Sequence, residues 1–166
     1  AAGADIKEMA TKTFVDVFGD NLFGADSEAI MNIRKPVIAA VAGFALGGGC
    51  ELAVACDLRI AAENSSFGIP SAKLGVVISF SDTKRLVDLV GPAVAKEMLM
   101  TGRRLSAREA LAVGLVNQVA PDPSLRKATL DLAGAIGANA PYSVASAKAM
   151  ADQCRRDADL STVSLT

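Results

Sequence analysis

A run of five apolar residues leading into a cluster of glycines constrains this chain more than any other feature. Val37-Ile38-Ala39-Ala40-Val41 follows Pro36, and Gly43-Phe44-Ala45-Leu46-Gly47-Gly48-Gly49-Cys50-Glu51 comes next. Proline ends the helix before it. A short continuous apolar run bounded in this way reads as a strand buried on both faces. Cys50 to Ala55 has helical composition, so the order is strand, glycine turn, helix. Glycines at such a turn remove side chains and let a ligand touch backbone. The free N–H groups of the first helical turn then point at that ligand, and the helix dipole adds partial positive charge. The arrangement suits a developing oxyanion; close strand–helix packing is the plainer use of the same glycines. A phosphate loop would need Gly-Lys-Ser/Thr, and a dinucleotide turn G-x-G-x-x-G; neither is present. Glu51 falls in the first turn of the helix, either as a site carboxylate or as a surface charge favoured by the dipole.

The rest of the chain alternates in the same manner. A helix is expected over about Ser27 to Ile33 with Ser27 as cap. Strands are expected at Leu58–Ala62 and Leu115–Val119, with a short extended piece at Phe67-Gly68-Ile69-Pro70. Ala4 to Met9 reads as a turn running into a helix, and residues 10–24 as a helical connection broken by Gly19 and Gly24. From Ser81 the pattern is helical to Val90, resumes from Ala93 to Met100 after Gly91-Pro92, and stops at Thr101-Gly102. Ser106-Ala107-Arg108-Glu109 is a capping box. Pro121 and Pro123 make a linker, and an amphipathic helix covers about Ser124 to Ala138. A further helix begins after Pro141. Strands alternating with helices on short loops define an α/β chain.

Composition removes several classes of chemistry. The 166 residues contain no histidine, so every Ser-His-Asp, Cys-His and HExxH mechanism is excluded within the chain. Acid–base work falls to Asp, Glu, Lys, Tyr or Cys. Seventeen basic and eighteen acidic residues leave a net charge of −1, which gives nucleic acid no footprint. No apolar run reaches the ~18 residues of a membrane span. Cys50, Cys56 and Cys154 form no CxxC and read as idle thiols of a reducing compartment, which places the chain in the cytoplasm.

Ile33 to Ala53 resembles, nearly residue for residue, the signature segment of the enoyl-CoA hydratase/isomerase (crotonase) family. Ala1-Ala2-Gly3-Ala4-Asp5-Ile6-Lys7-Glu8-Met9 resembles that family's first oxyanion-hole segment. Cys56-Asp57-Leu58-Arg59-Ile60-Ala61, Phe67-Gly68-x-Pro70, Thr101-Gly102-Arg103 and Ala112-x-Gly114-Leu115-Val116-Asn117 follow in the family's order. The resemblance implies a spiral of strand–strand–helix turns followed by a helical region. Residues 1–120 would belong to the core, lacking an N-terminal portion, and 121–166 to the C-terminal helices.

The resemblance also implies chemistry. The N–H groups of Ala4 and Gly48 would bind the thioester oxygen of an acyl-CoA, and Glu51 would be the first catalytic carboxylate. Ala2, Asp5 and Ile6 would line the CoA path, with Lys7 near its phosphates or simply solvated. Gly47, Pro70, Ser71 and Ser79 would also bind the substrate. No cofactor is implied, because CoA is part of the substrate. The assembly would be a homotrimer or a dimer of trimers, with no nucleic-acid or membrane partner.

Two departures stand out. Hydratases of the family usually read Phe-Gly-x-Pro-Glu, the Glu being the second acid/base, whereas this chain reads Phe67-Gly68-Ile69-Pro70-Ser71. A serine with no base cannot deliver a proton as a tuned carboxyl can. The family's Gly-Gly-Thr-Gln-Arg-Leu is replaced by Ser81-Asp82-Thr83-Lys84-Arg85-Leu86, where Asp82 reads as an N-cap or as a displaced acid. Another one-carboxylate chemistry (isomerase, thioester hydrolase or decarboxylase) and a non-catalytic acyl-CoA-binding paralogue are the alternatives.

Overall fold

The computed structural model describes residues 1, 3, 7 and 25–156. The elements expected at Ala4–Met9 and over 10–24 lie outside them, apart from Lys7, which is helical and exposed. The described chain opens with α1 (Ala25–Met31). It passes Pro36 into β1 (Ile38–Val41), β2 (Phe44–Leu46) and α2 (Gly48–Ala55). β3 (Leu58–Ala62), β4 (Ser66–Gly68) and the short α3 (Ser71–Leu74) repeat that order. The two strand–strand–helix units stack: β1 pairs with β3 in parallel, and β2 with β4 in parallel. This is the spiral that the family resemblance implies. Each turn of it feeds one strand to each of two three-stranded sheets, β1-β3-β6 and β2-β4-β5.

α4 (Phe80–Thr101) breaks at Gly91 (φ 77, ψ 162) before Pro92, so it is two helices end to end, as the Gly-Pro pair predicts. β5 (Leu105–Ser106) and α5 (Ala107–Ala112) follow, and the capping box is complete: Ser106 Oγ accepts from Glu109 N, and Glu109 accepts from Ser106 N. β6 (Gln118–Ala120), a short 3-10 turn, α6 (Leu125–Gly137) and α7 (Pro141–Arg156) complete the description. α6 lies across β1 and β3. Its Leu125, Ala128 and Leu132, spaced for one helix face, pack on Ile60, Ala62 and Ala120. The main core is built around Phe67, Leu86, Met98, Leu105 and Leu115, all fully buried.

Four sequence expectations need correction. α1 starts at Ala25, so Ser27 is not its cap; it sits buried in the first turn. A strand, β2, intervenes between the apolar run and the glycine turn, because Phe44–Leu46 pairs with Ser66–Gly68. The strand expected at Leu115–Val119 begins only at Gln118. Leu115 N and Val116 N close the end of α5 on Ala110 O, and Asn117 is locked to Arg59 through Asn117 N–Arg59 O at 2.9 Å and Arg59 N–Asn117 Oδ1 at 2.8 Å. β1 is not buried on both faces: it is a sheet edge among the described residues, with Ala40 exposed, while β3 takes the buried central place.

Candidate active site

The site is built where β2 gives way to α2. Gly47 is the residue before the helix, at φ 53 and ψ −126, a backbone that side chains rarely tolerate. Its N–H donates to Gly68 O at 2.9 Å, tying the turn to the end of β4. Gly47 O accepts from Cys50 N at 2.8 Å and Glu51 N at 3.0 Å, so those two first-turn donors are satisfied internally. No acceptor for Gly48 N is seen among the described residues, which is what a helix N-terminus offers to an anion. Gly3 lies close to this donor. A Cβ on Gly3 would stand 3.1 Å from Gly48 N and 2.9 Å from Leu46 O. Ala1 runs alongside β2, its nitrogen donating to Phe44 O at 2.8 Å and its carbonyl accepting from Leu46 N at 3.0 Å. Ala1 and Gly3 are thereby placed against β2 and the glycine turn.

Glu51 is 8% exposed, and its Oε2 lies 3.9 Å from the place a Cβ on Gly48 would occupy. The carboxylate therefore lies beside Gly48, the first residue of the helix. Burial raises the Glu51 carboxyl to about 7; the nearby Asp82 raises it further, and Arg85 opposes both. That value suits proton transfer near neutrality. Cys50, the next residue on the helix, is no nucleophile: burial pushes its thiol up to about 12.

Gly68 is two residues ahead of Pro70, so the Gly47–Gly68 hydrogen bond brings the Pro70-Ser71 segment beside the turn. Pro70 precedes α3 and Ser71 is its first residue, half-buried, with its carbonyl accepting from Val76 N at 3.1 Å. Ser79 is half-buried and caps α4. The cap expected at Asp82 is Ser79 instead, because Ser79 has extended backbone and its hydroxyl accepts from Asp82 N. Ala2, Ala4, Asp5 and Ile6 lie outside the described residues.

Sequence reasoning passed over two buried cations. Arg59 is 3% exposed, and its guanidinium donates to Leu115 O at 2.7 Å, Cys56 O at 2.6 Å and Ala53 O at 3.3 Å. It holds the C-terminal end of α2, where a cation is favoured, and so fixes the helix that carries Glu51. Arg85 is 6% exposed and paired with Asp82 at 2.6 Å. Arg59 among the apolar residues of Leu58–Ala62 was an available signal, whereas Arg85, beside Lys84 and close to Asp82, read as a solvated helix face. A cavity of about 560 Å³ between α2, α4 and α7 is lined by Cys56, Lys148 and Arg155, among others, and by none of the site residues. Among the described residues there is no cluster able to hold a metal and no helix long and apolar enough to cross a membrane.

A chain with parallel strand–strand–helix turns, a glycine-rich helix N-terminus and a buried glutamate within its first turn matches one family. The family model described as enoyl-CoA hydratase/isomerase matches residues 1–164, and the chain belongs to that family. It is 43% identical over 148 residues to a short-chain-enoyl-CoA hydratase of Clostridium acetobutylicum, covering 86% of this chain and 55% of that one. It is 45% identical over 149 residues to a carnitinyl-CoA dehydratase of Salmonella typhi, covering 89% of this chain and 57% of the relative. Among solved structures, an enoyl-CoA hydratase from Bacillus anthracis superposes with a TM-score of 0.90 at 40% identity, covering 97% of this chain and 62% of that one. The crotonase fold is therefore established. The chain spans about half the length of the curated relatives it matches.

Proposed function

We propose that the protein acts on acyl-CoA thioesters by stabilising a thioester enolate, with hydration of a 2-enoyl-CoA or double-bond isomerisation as its reaction. The observation that carries this reading is the N–H of Gly48, with no acceptor among the described residues, beside the buried carboxyl of Glu51. Addition to an enoyl thioester, or removal of its Cα proton, puts negative charge on the thioester oxygen. Gly48 N–H, with Ala4 N–H as its partner, receives that charge. Glu51 holds or activates the water, or moves the Cα proton. Ala2, Asp5 and Ile6 line the CoA path, and Gly47, Pro70, Ser71 and Ser79 the acyl side. No cofactor is needed, since the thioester itself supplies the electron sink. A homotrimer or dimer of trimers in the cytoplasm, residues 1–120 in the core and 121–166 in the helical region, completes the proposal.

Ser71 favours a second reading, a one-carboxylate reaction such as isomerisation, thioester hydrolysis or decarboxylation, because a hydroxyl replaces the usual second acid. A panel of acyl-CoA thioesters assayed by mass spectrometry for the protein and for Glu51→Gln separates these by product. The proposal expects a product that the variant forms at least about 10²-fold more slowly. Acyl-CoA affinity without turnover or Cα proton exchange would overturn it in favour of a binding paralogue.

A further inference from the structure

The three glycines of the turn are needed for different reasons. Gly47 has a φ of 53, a backbone that a side chain strains. Gly48 and Gly49 have no positive φ and belong to α2. Among the described residues, a Cβ on Gly48 would meet Gly3 Cα at 3.8 Å and Glu51 Oε2 at 3.9 Å, which are ordinary contacts. Gly49 is buried, and a Cβ on it would stand 2.2 Å from Ala1 O, 2.7 Å from Ala1 C and 3.0 Å from Ala1 Cβ. The first two of these lie far inside van der Waals contact. Alanine forms helix better than glycine does, so α2 by itself gives no reason for glycine at this position. The reason is the backbone of Ala1.

Ala1 is fixed on its other side by β2, through Ala1 N to Phe44 O at 2.8 Å and Leu46 N to Ala1 O at 3.0 Å. Two residues on, Gly3 makes a second close fit: a Cβ there would stand 2.9 Å from Leu46 O and 3.1 Å from Gly48 N. The two backbones interlock, Ala1 on Gly49 and Gly3 on Gly48. A single planar peptide bond joins Gly3 to Ala4. The seat of Ala1 and Gly3 therefore limits where the Ala4 N–H can stand relative to the Gly48 N–H. We propose that Gly49 is a positioning residue for the oxyanion site: its missing side chain lets the backbone of Ala1 seat against α2, which sets the spacing of the Ala4 and Gly48 donors. This deepens the function proposed above and rests on those two groups as the donors to the thioester oxygen.

Plain packing of helix on backbone is the rival role, and the two differ in what they move. A packing role changes stability. A positioning role changes how strongly the bound thioester carbonyl is polarised. Preorganised donors act by aiming at one oxygen, and shifting one of them by an ångström costs rate without removing any group. The charge they meet develops in the transition state, so the loss falls on kcat and kcat/KM together and leaves KM near its native value.

The test compares the native protein with Gly49→Ala and Gly134→Ala. Gly134 lies in α6, where a Cβ would meet nothing within 4 Å among the described residues, so it supplies the matched change away from the site. The probe is butyryl-CoA carrying carbon-13 at the thioester carbonyl. Infrared difference spectra read the carbonyl band of the bound probe, and wash-in of solvent deuterium at Cα reads turnover. The native protein should lower the band from its solution frequency, and Gly134→Ala should match it in band and rate. Gly49→Ala should return the band part of the way to the solution value. It should slow exchange about 10- to 10²-fold, less than the loss of a whole donor, with KM near native. The double variant Gly49→Ala with Ala1→Gly covers the case in which the single variant does not fold. It removes the Ala1 Cβ contact but keeps the closer one to the Ala1 carbonyl, so its band should also lie above the native band. A native band and native exchange in either folded variant overturns the proposal. A native band with a lowered melting temperature assigns Gly49 to packing alone and overturns it too. A native protein that leaves the band at its solution frequency and exchanges no proton overturns the function proposed above, and this inference with it.

Discussion

Replacing Glu51 by glutamine should make the protein more stable at alkaline pH, although it removes the group expected to do the chemistry. In the native fold the carboxyl titrates at about 7 against an ordinary 4.5. A rise of that size, at about 1.4 kcal/mol per unit, corresponds to about 3 kcal/mol. The folded state binds the proton more tightly than the unfolded chain. Its stabilising contribution is therefore complete below pH 4.5, declines as pH rises through 7, and is absent above. Glutamine carries no such titration and keeps the shape. Urea unfolding at pH 4.5 and pH 9 measures the difference. The two proteins should be similar in acid, with Glu51→Gln ahead by about 2 to 3 kcal/mol at pH 9. A gap that is the same at both pH values would refute the claim that burial and Asp82 hold the carboxyl high.

Two further outcomes follow from the same geometry. Native hydration of crotonyl-CoA should be slow because Ser71 offers no carboxyl, and Ser71→Glu should raise it by about tenfold or more, toward the lower range of general acid–base catalysis; steady-state assays of both proteins decide it, and fast hydration by the native chain would show that the serine is no handicap. Phe67 is fully buried in β4 under the site, so Phe67→Ala should cost about 3–5 kcal/mol in denaturant unfolding, and a loss under 1 kcal/mol would place Phe67 outside the cooperative core.

Much of this fold is legible in the residues because its signals are local. The capping box at Ser106, the break at Gly91-Pro92 and the helices after Pro123 and Pro141 are each set by a few neighbours in sequence. Pairing is less legible. β2 is three residues long and becomes a strand only because β4 lies beside it, and β6 starts late because Asn117 is held by Arg59. The glycine turn and Glu51 announce themselves, since both the close backbone approach and the first-turn carboxylate are sequence-local. The Asp82–Arg85 pair does not, because the spacing of an acid and a base on one helix fits a solvated face equally well. Its burial is a tertiary fact. The part played by Ser79 was hidden for the same reason: a cap hydroxyl and a pocket hydroxyl look identical until the helix start is placed.

The central claim, that the N–H of Gly48 stabilises a thioester enolate, is tested most directly by Gly48→Pro. Gly48 is the first residue of α2, where proline fits a helix and its missing N–H disturbs no helical bond. Among the described residues, a Cβ there would meet Gly3 Cα at 3.8 Å and Glu51 Oε2 at 3.9 Å, both ordinary contacts. The measurement is wash-in of solvent deuterium at Cα of butyryl-CoA, read by mass spectrometry. The native protein should exchange that proton, and Gly48→Pro should do so about 10²- to 10³-fold more slowly, the effect of losing one oxyanion donor, while melting at the native temperature. Equal exchange by a folded Gly48→Pro protein would contradict the account.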